Sequence, residues 1–150
     1  MIPLIAWAFL QQVEPDRHVA YLDSARVATV GRGHTGKGIH RGMKISQAKS
    51  DALFRSDVAN FSVLIEKQIA SPSAVKALSK HQYSALLSFA LDVGSLGHRI
   101  PVLVRSHNYR AIPTQMIRFN HVRIHGRLHK IPGLVARRAA EVAFFNQEDL

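Results

Sequence analysis

The chain has 150 residues, 47% of them apolar, which suits one domain with a sizeable core and is too many for a disordered chain. Twenty Lys and Arg against ten Asp and Glu give a net charge of +10, which favours polyanionic partners: nucleic acid, an anionic membrane or an acidic envelope polymer. No cysteine is present, so disulfide scaffolds, thiolate zinc sites and thiol nucleophiles are excluded.

Ile2, Ile5, Ala6, Phe9, Leu10 and Val13 fall on one helical face, so residues 4–13 predict a helix with one buried side. Pro15 ends it and leaves Glu14 at the frayed end, its side chain free to point away from the packed face. The apolar stretch 1–10 has no Lys or Arg before it and no small-residue cleavage site before Glu14. It reads as a folded segment rather than a secretion signal. Residues 18–21 and 26–32 predict a β-hairpin around Asp23-Ser24-Ala25, and the glycine-rich stretch that follows predicts a loop. Ser46 is placed to cap a helix running to about residue 69, where Ser71-Pro72-Ser73 breaks it. A second apolar helix is expected from about 80 to 94, shorter pieces near 100–107 and 111–119, an irregular basic segment at 120–132, and a closing helix from about 133 to 145. An early strand region followed by helices only is an α+β order with segregated elements. No run reaches the roughly 18 apolar residues of a membrane span.

Charge is uneven. Between Asp92 and Glu141 there are nine Lys and Arg and no acid, which makes either a solvated basic face or a surface that docks a polyanion. No helix-turn-helix or aromatic-basic platform is recognisable, so nucleic acid is not the expected partner.

Three constellations could carry chemistry. Gly31 to Gly38 nearly matches a phosphate-binding loop, but Gly38 stands where the Mg²⁺-binding hydroxyl belongs and no helix start follows. His121, His125 and His129 would line one face of a helix and could hold a metal. Gly126 and Pro132 argue against a helix there, and no carboxylate is near to complete a shell, so a basic surface is expected and no metal. Glu14, Asp23 and Thr29 offer two carboxylates on a helix end and a hairpin turn. Glycoside hydrolysis needs such a pair, one protonated to donate to the leaving oxygen and one ionised to activate water or attack. Spacing alone leaves two ordinary surface acids as the competing reading.

The run Glu14, Tyr21, Asp23, Thr29-Val30-Gly31, Gly33-His34 resembles the catalytic stretch of phage-type lysozymes, the endolysin family of glycoside hydrolases. Ile45-Ser46-Gln47-Ala48 with Leu53-Phe54 and Ser56-Asp57-Val58 resembles the family's linking helix. Gln82-Tyr83-Ser84-Ala85 through Phe89, then Val93-Gly94, resembles its central helix, and Pro132-Gly133-Leu134 with Arg137, Arg138 and Glu141 its closing helix. The likeness spans about residues 10–146.

The resemblance implies one two-lobed α+β lysozyme domain over 1–150. Its hairpin lobe would cover about 14–45, its linking helix about 46–69, and its helical lobe about 1–13 and 70–150. It implies Glu14 as general acid, Asp23 as the residue that activates water or stabilises the transition state, and Thr29 as the holder of that water. Gly33, Asp92 and Arg138 are expected at the sugar groove, and His34 with Asp57 as a structural ion pair. One of Arg137 and Arg138 is expected to reach Glu14 or the cleft, while Glu141 balances charge on its own helix. The expected activity is a muramidase that inverts configuration, cuts the β-1,4 bond between N-acetylmuramic acid and N-acetylglucosamine, and lyses a bacterial host without a cofactor. Its partner would be peptidoglycan strands, with the basic 93–140 region available to an anionic envelope or outer membrane. A monomer made in the host cytoplasm and released through a membrane pore is expected. Pro15 stands where the family has Gly, Asp92 where it has an amide, and Phe119 where it has Trp. The first two departures keep open a weak enzyme that serves as a glycan-binding or assembly module.

Overall fold

A computed structural model describes residues 1–150. The elements in chain order are helix α1 (Leu4–Val13), strands β1 (Arg17–Leu22) and β2 (Ala28–Gly31), and helices α2 (Gln47–Ile69), α3 (Pro72–Ala77), α4 (Lys80–Val93) and α5 (Arg99–Arg105). A 3-10 turn (Tyr109–Ala111) then leads into α6 (Ile112–Met116), strands β3 (His121–Ile124) and β4 (Arg127–Lys130), and α7 (Pro132–Phe145).

Local chemistry sets the helix limits. Ser46 accepts the Lys49 N–H and starts α2, and Ser71 caps α3 with Pro72 in its first turn. Ser79 and Gln82 form a reciprocal capping box at the start of α4. Gly94 closes α4 with a φ of 100°, which a side chain would oppose. Residues 83–90 of α4 are all buried, because α1, α2 and α7 pack around it. Leu86, Leu87 and Phe89 are fully enclosed there. Such burial stabilises by about 1.5–3 kcal/mol per side chain, so α4 is the axis of the core.

The β1–β2 hairpin is antiparallel and irregular between Arg17 and Tyr21. Segment 42–45 runs beside β1, with the Ala20 N–H donating to Met43 O and the Ile45 N–H to His18 O. This small lobe is tied to α2 at two places. Ser50 and Gln47 donate to the Asp16 carboxylate at 2.5 and 2.9 Å, and His34 Nδ1 stands 2.8 Å from Asp57 Oδ2.

The segment expected to be irregular, 120–132, is instead a second antiparallel hairpin, so strands are not confined to the early chain. Its turn residues His125 and Gly126 both have positive φ, 50° and 78°, the geometry of a two-residue hairpin turn that matches strand twist. Alternation of Val122 and Ile124 with His121 and Arg123 fits a period of two rather than a helical one. The three histidines therefore do not line one face. His129 pairs with Val122, His121 points to the other face, and His125 is at the tip. No helix is long and apolar enough to cross a membrane.

Candidate active site

Glu14 is the C-cap of α1, with φ −114° and ψ 95°, so the chain turns extended ahead of Pro15. Arg32 reaches across from the hairpin lobe, and its Nη1 donates to Glu14 O at 2.7 Å and Gln11 O at 3.1 Å. It thereby satisfies carbonyls the helix leaves unpaired and fixes the backbone that carries the acid. The Glu14 side chain is only 14% exposed, and Arg137 Nη1 stands 2.6 Å from its Oε1. Gly33, with a φ of 87°, closes the other side: a Cβ there would lie 2.9 Å from Glu14 Oε2. Burial pushes the Glu14 carboxyl above the ordinary Glu range. Arg137 opposes that shift, while the nearby Asp92 and Glu141 carboxylates reinforce it.

Asp23 sits in the turn of the β1–β2 hairpin. Its Oδ1 accepts the Ala25 and Val27 N–H groups, each at 2.8 Å, so the carboxylate builds the turn it stands on. Thr29 is buried on β2 opposite Tyr21, and its hydroxyl donates to Val27 O at 2.9 Å. That bond leaves the Thr29 oxygen free to accept.

Behind Glu14 lies a buried network between α4 and α7. Arg137 also stands 3.7 Å from Asp92 Oδ1 and 3.3 Å from Glu141 Oε2, and it donates to Ser88 O. Arg138 is 1% exposed. Its Nη2 donates to Asp92 Oδ2 at 2.5 Å, its Nη1 to Phe119 O, and its guanidinium lies over the Phe89 ring. Its Nε approaches Glu141 Oε1 to 2.7 Å without the alignment of a hydrogen bond, so that contact is an ion pair only. The Ser88 hydroxyl donates to Glu141 at 2.5 Å, which makes Glu141 a bridge to α4 as well as a partner within its own helix. Burial raises the Glu141 carboxyl too, against the pull of both arginines. Three carboxylates thus face two guanidiniums, and one proton makes the group neutral.

A groove of about 230 Å³ separates the two lobes, with Asp23 and Ser24 on the hairpin wall and Asp92, Phe119, His121 and Arg138 on the helical wall. Glu14 does not line it and connects to it through Arg137 and Asp92. A larger concavity of about 900 Å³ lies elsewhere, beside Pro3, Ala70 and Tyr83, and holds none of the candidate site residues.

The structure therefore joins Glu14, Gly33 and Arg137 in one contact set, and Asp92, Arg138 and Glu141 in the adjoining one. Asp23 faces Asp92 and Arg138 across the groove. His34 and Asp57 pair apart from it. Sequence reasoning missed Arg32 and Ser88. Only the return of a distant loop and the stacking of α4 on α7 reveal them.

The phage lysozyme profile matches residues 11–141. The chain belongs to the phage lysozyme family. It is 29% identical over 139 residues to an endolysin of Acyrthosiphon pisum secondary endosymbiont phage 1, covering 91% of each chain. It is 30% identical over 140 residues to a SAR-endolysin of Escherichia phage Mu, covering 91% of this chain and 76% of that one. Among solved structures it superposes on an endolysin from Escherichia coli O157:H7 phage FAHEc1 with a TM-score of 0.79 and 22% identity, covering 97% and 93% of the two chains. That likeness shows the two-lobed α+β fold. Family membership makes this a lysozyme-like glycoside hydrolase of peptidoglycan.

Proposed function

We propose that this phage lysozyme is a muramidase that hydrolyses the β-1,4 bond between N-acetylmuramic acid and N-acetylglucosamine, and so lyses a bacterial host. The observation that carries this reading is Glu14: a carboxyl held mostly out of water, its hold on its proton raised above the ordinary Glu range by that burial, at the junction of the two lobes.

Glu14 donates its proton to the glycosidic oxygen as the bond breaks. Asp23, on the hairpin wall of the groove, orients and activates the attacking water, and Thr29 accepts a hydrogen bond from it. The proton lost by the water passes to Asp23, and the new hydroxyl forms on the face opposite the leaving sugar. Configuration is thus inverted. Inverting pairs stand about 6.5–9.5 Å apart to admit the water. Gly33 leaves room for the acid, and Asp92 contacts the sugar. Arg138, buried with both terminal guanidinium nitrogens engaged, supports the groove wall by holding Asp92 in place. No cofactor takes part.

The enzyme works as a monomer on glycan strands. It is made in the host cytoplasm and reaches the wall through a membrane pore. The basic 93–140 region brings it to anionic envelope surfaces, and that attraction weakens with salt.

Clearing of chloroform-treated Gram-negative cells tests the reaction. Glu14→Gln keeps the shape of the side chain and removes its acid, and clearing is expected to fall by about 10²–10⁴-fold. Equal clearing by both proteins would leave a glycan-binding module.

A further inference from the structure

One guanidinium nitrogen, Arg137 Nη1, is placed between two carboxylates: 2.6 Å from Glu14 Oε1 and 3.7 Å from Asp92 Oδ1. Asp92 is itself fixed. Arg138 Nη2 holds its other oxygen at 2.5 Å, and Arg138 is locked by Phe119 O, the Phe89 ring and Glu141. Asp92 therefore cannot swing away from Arg137 without breaking a buried ion pair. Its side chain is 23% exposed and lines the groove, so it also faces the side where substrate would lie.

We infer that Asp92 is a positioning residue that competes with Glu14 for Arg137 and so sets the pH at which the acid gives up its proton. The inference rests on Glu14 being the general acid. A neutral side chain at 92 would leave Arg137 attracted to Glu14 and Glu141 alone. The Glu14 anion would gain in two ways, by a stronger guanidinium partner and by loss of a like charge. Both changes have one sign: the acid ionises at lower pH.

Among the other charged or titratable groups around Glu14, only Glu141 adds a further like charge beside Arg137. From α7 come Arg137, Arg138 and Glu141. Arg137 is the shared cation, Arg138 neutralises Asp92 and Glu141, and Glu141 is anchored by the Ser88 hydroxyl. From the hairpin lobe, Arg32 contacts the Glu14 backbone carbonyl rather than the carboxyl. Tyr21, with Arg17 over its ring, is held neutral, its hydroxyl raised by burial. Asp23 is occupied with the Ala25 and Val27 N–H groups. Asp92 is the one carboxylate of α4 in the network.

The test is the pH profile of kcat/KM on purified peptidoglycan for the parent protein, Asp92→Asn and Asp92→Glu. Asp92→Asn is isosteric and is expected to move the alkaline limb down by about half a unit or more. Asp92→Glu keeps the charge and is expected to restore the parent limb even if its maximal rate is lower. Asp92→Ser serves the same purpose if the Asn protein does not fold. An unmoved alkaline limb in the neutral variants overturns the inference, because a loss of sugar contact or of packing lowers the rate at every pH. Glu14→Gln is run beside them. If it keeps full activity, the assignment of the acid fails. If it is inactive and the limb stays in place, only the role of Asp92 fails.

Discussion

The two hairpins are built alike and used differently. Both are two-stranded, antiparallel and closed by a tight turn. In β1–β2, Ala20, Thr29 and Val30 are buried, and backbone bonds to 42–45 and side-chain ties from Asp16 and Ser50 hold the hairpin to α2. In β3–β4 no residue is buried, and every residue of β4 is exposed. The first hairpin carries Asp23 at its turn and Thr29 on its returning strand. The second carries His121 and Val122 at the groove edge and otherwise presents mostly exposed, basic residues to water. A hairpin gains rigidity from what it packs on rather than from its own ladder. Only the anchored one can hold a carboxylate at a fixed place.

Three comparisons sharpen this contrast. The largest effect is expected at the turns. Asp23→Asn retains an oxygen to accept the Ala25 and Val27 N–H groups but cannot act as a base, so clearing of cells should fall by about 10²–10⁴-fold with the melting temperature nearly kept. The same change at the second turn, His125→Asn, should leave clearing intact. If both turns were equally dispensable, the assignment of chemistry to one hairpin would be lost. Next comes packing. Val30 is 0% exposed and Leu128 is 62% exposed. Urea unfolding should show a cost of about 1–3 kcal/mol for Val30→Ala, and a change within about 0.5 kcal/mol for Leu128→Ala. The smallest effect on catalysis should come from neutralising Arg118, Arg123 and Arg127 together. Hydrolysis of purified peptidoglycan should change little, while binding to vesicles rich in anionic lipid, followed by co-sedimentation at low salt, should drop. Unchanged vesicle binding would reduce the second hairpin to a solvated surface.

The contrast also explains what the sequence could tell. Helices α1, α2, α4 and α7 show in the spacing of their apolar residues, and Ser46, Pro15 and Gly94 mark their ends, because each acts through its own backbone. The first hairpin shows in its β-branched residues and the Asp23 turn. The second was hidden by its composition. Its histidines fit a four-residue spacing, and with six of its ten residues basic or histidine it reads as a loop, although His125-Gly126 is a hairpin turn. At the site, the order of Glu14, Asp23 and Thr29 was legible through family likeness. The division of labour between Arg137 and Arg138 was not. Adjacent residues on a helix point about 100° apart, and only the packing of α7 on α4 decides which one meets Glu14 and which is enclosed with Asp92.

Gly33 gives the acid its seat by lacking a side chain, and its φ of 87° suits few other residues. A codon library randomised at that one position and plated for halo formation should therefore return glycine almost alone among the bright colonies. Alanine, the smallest trespasser, would already lie against the Glu14 oxygen proposed to part with hydrogen.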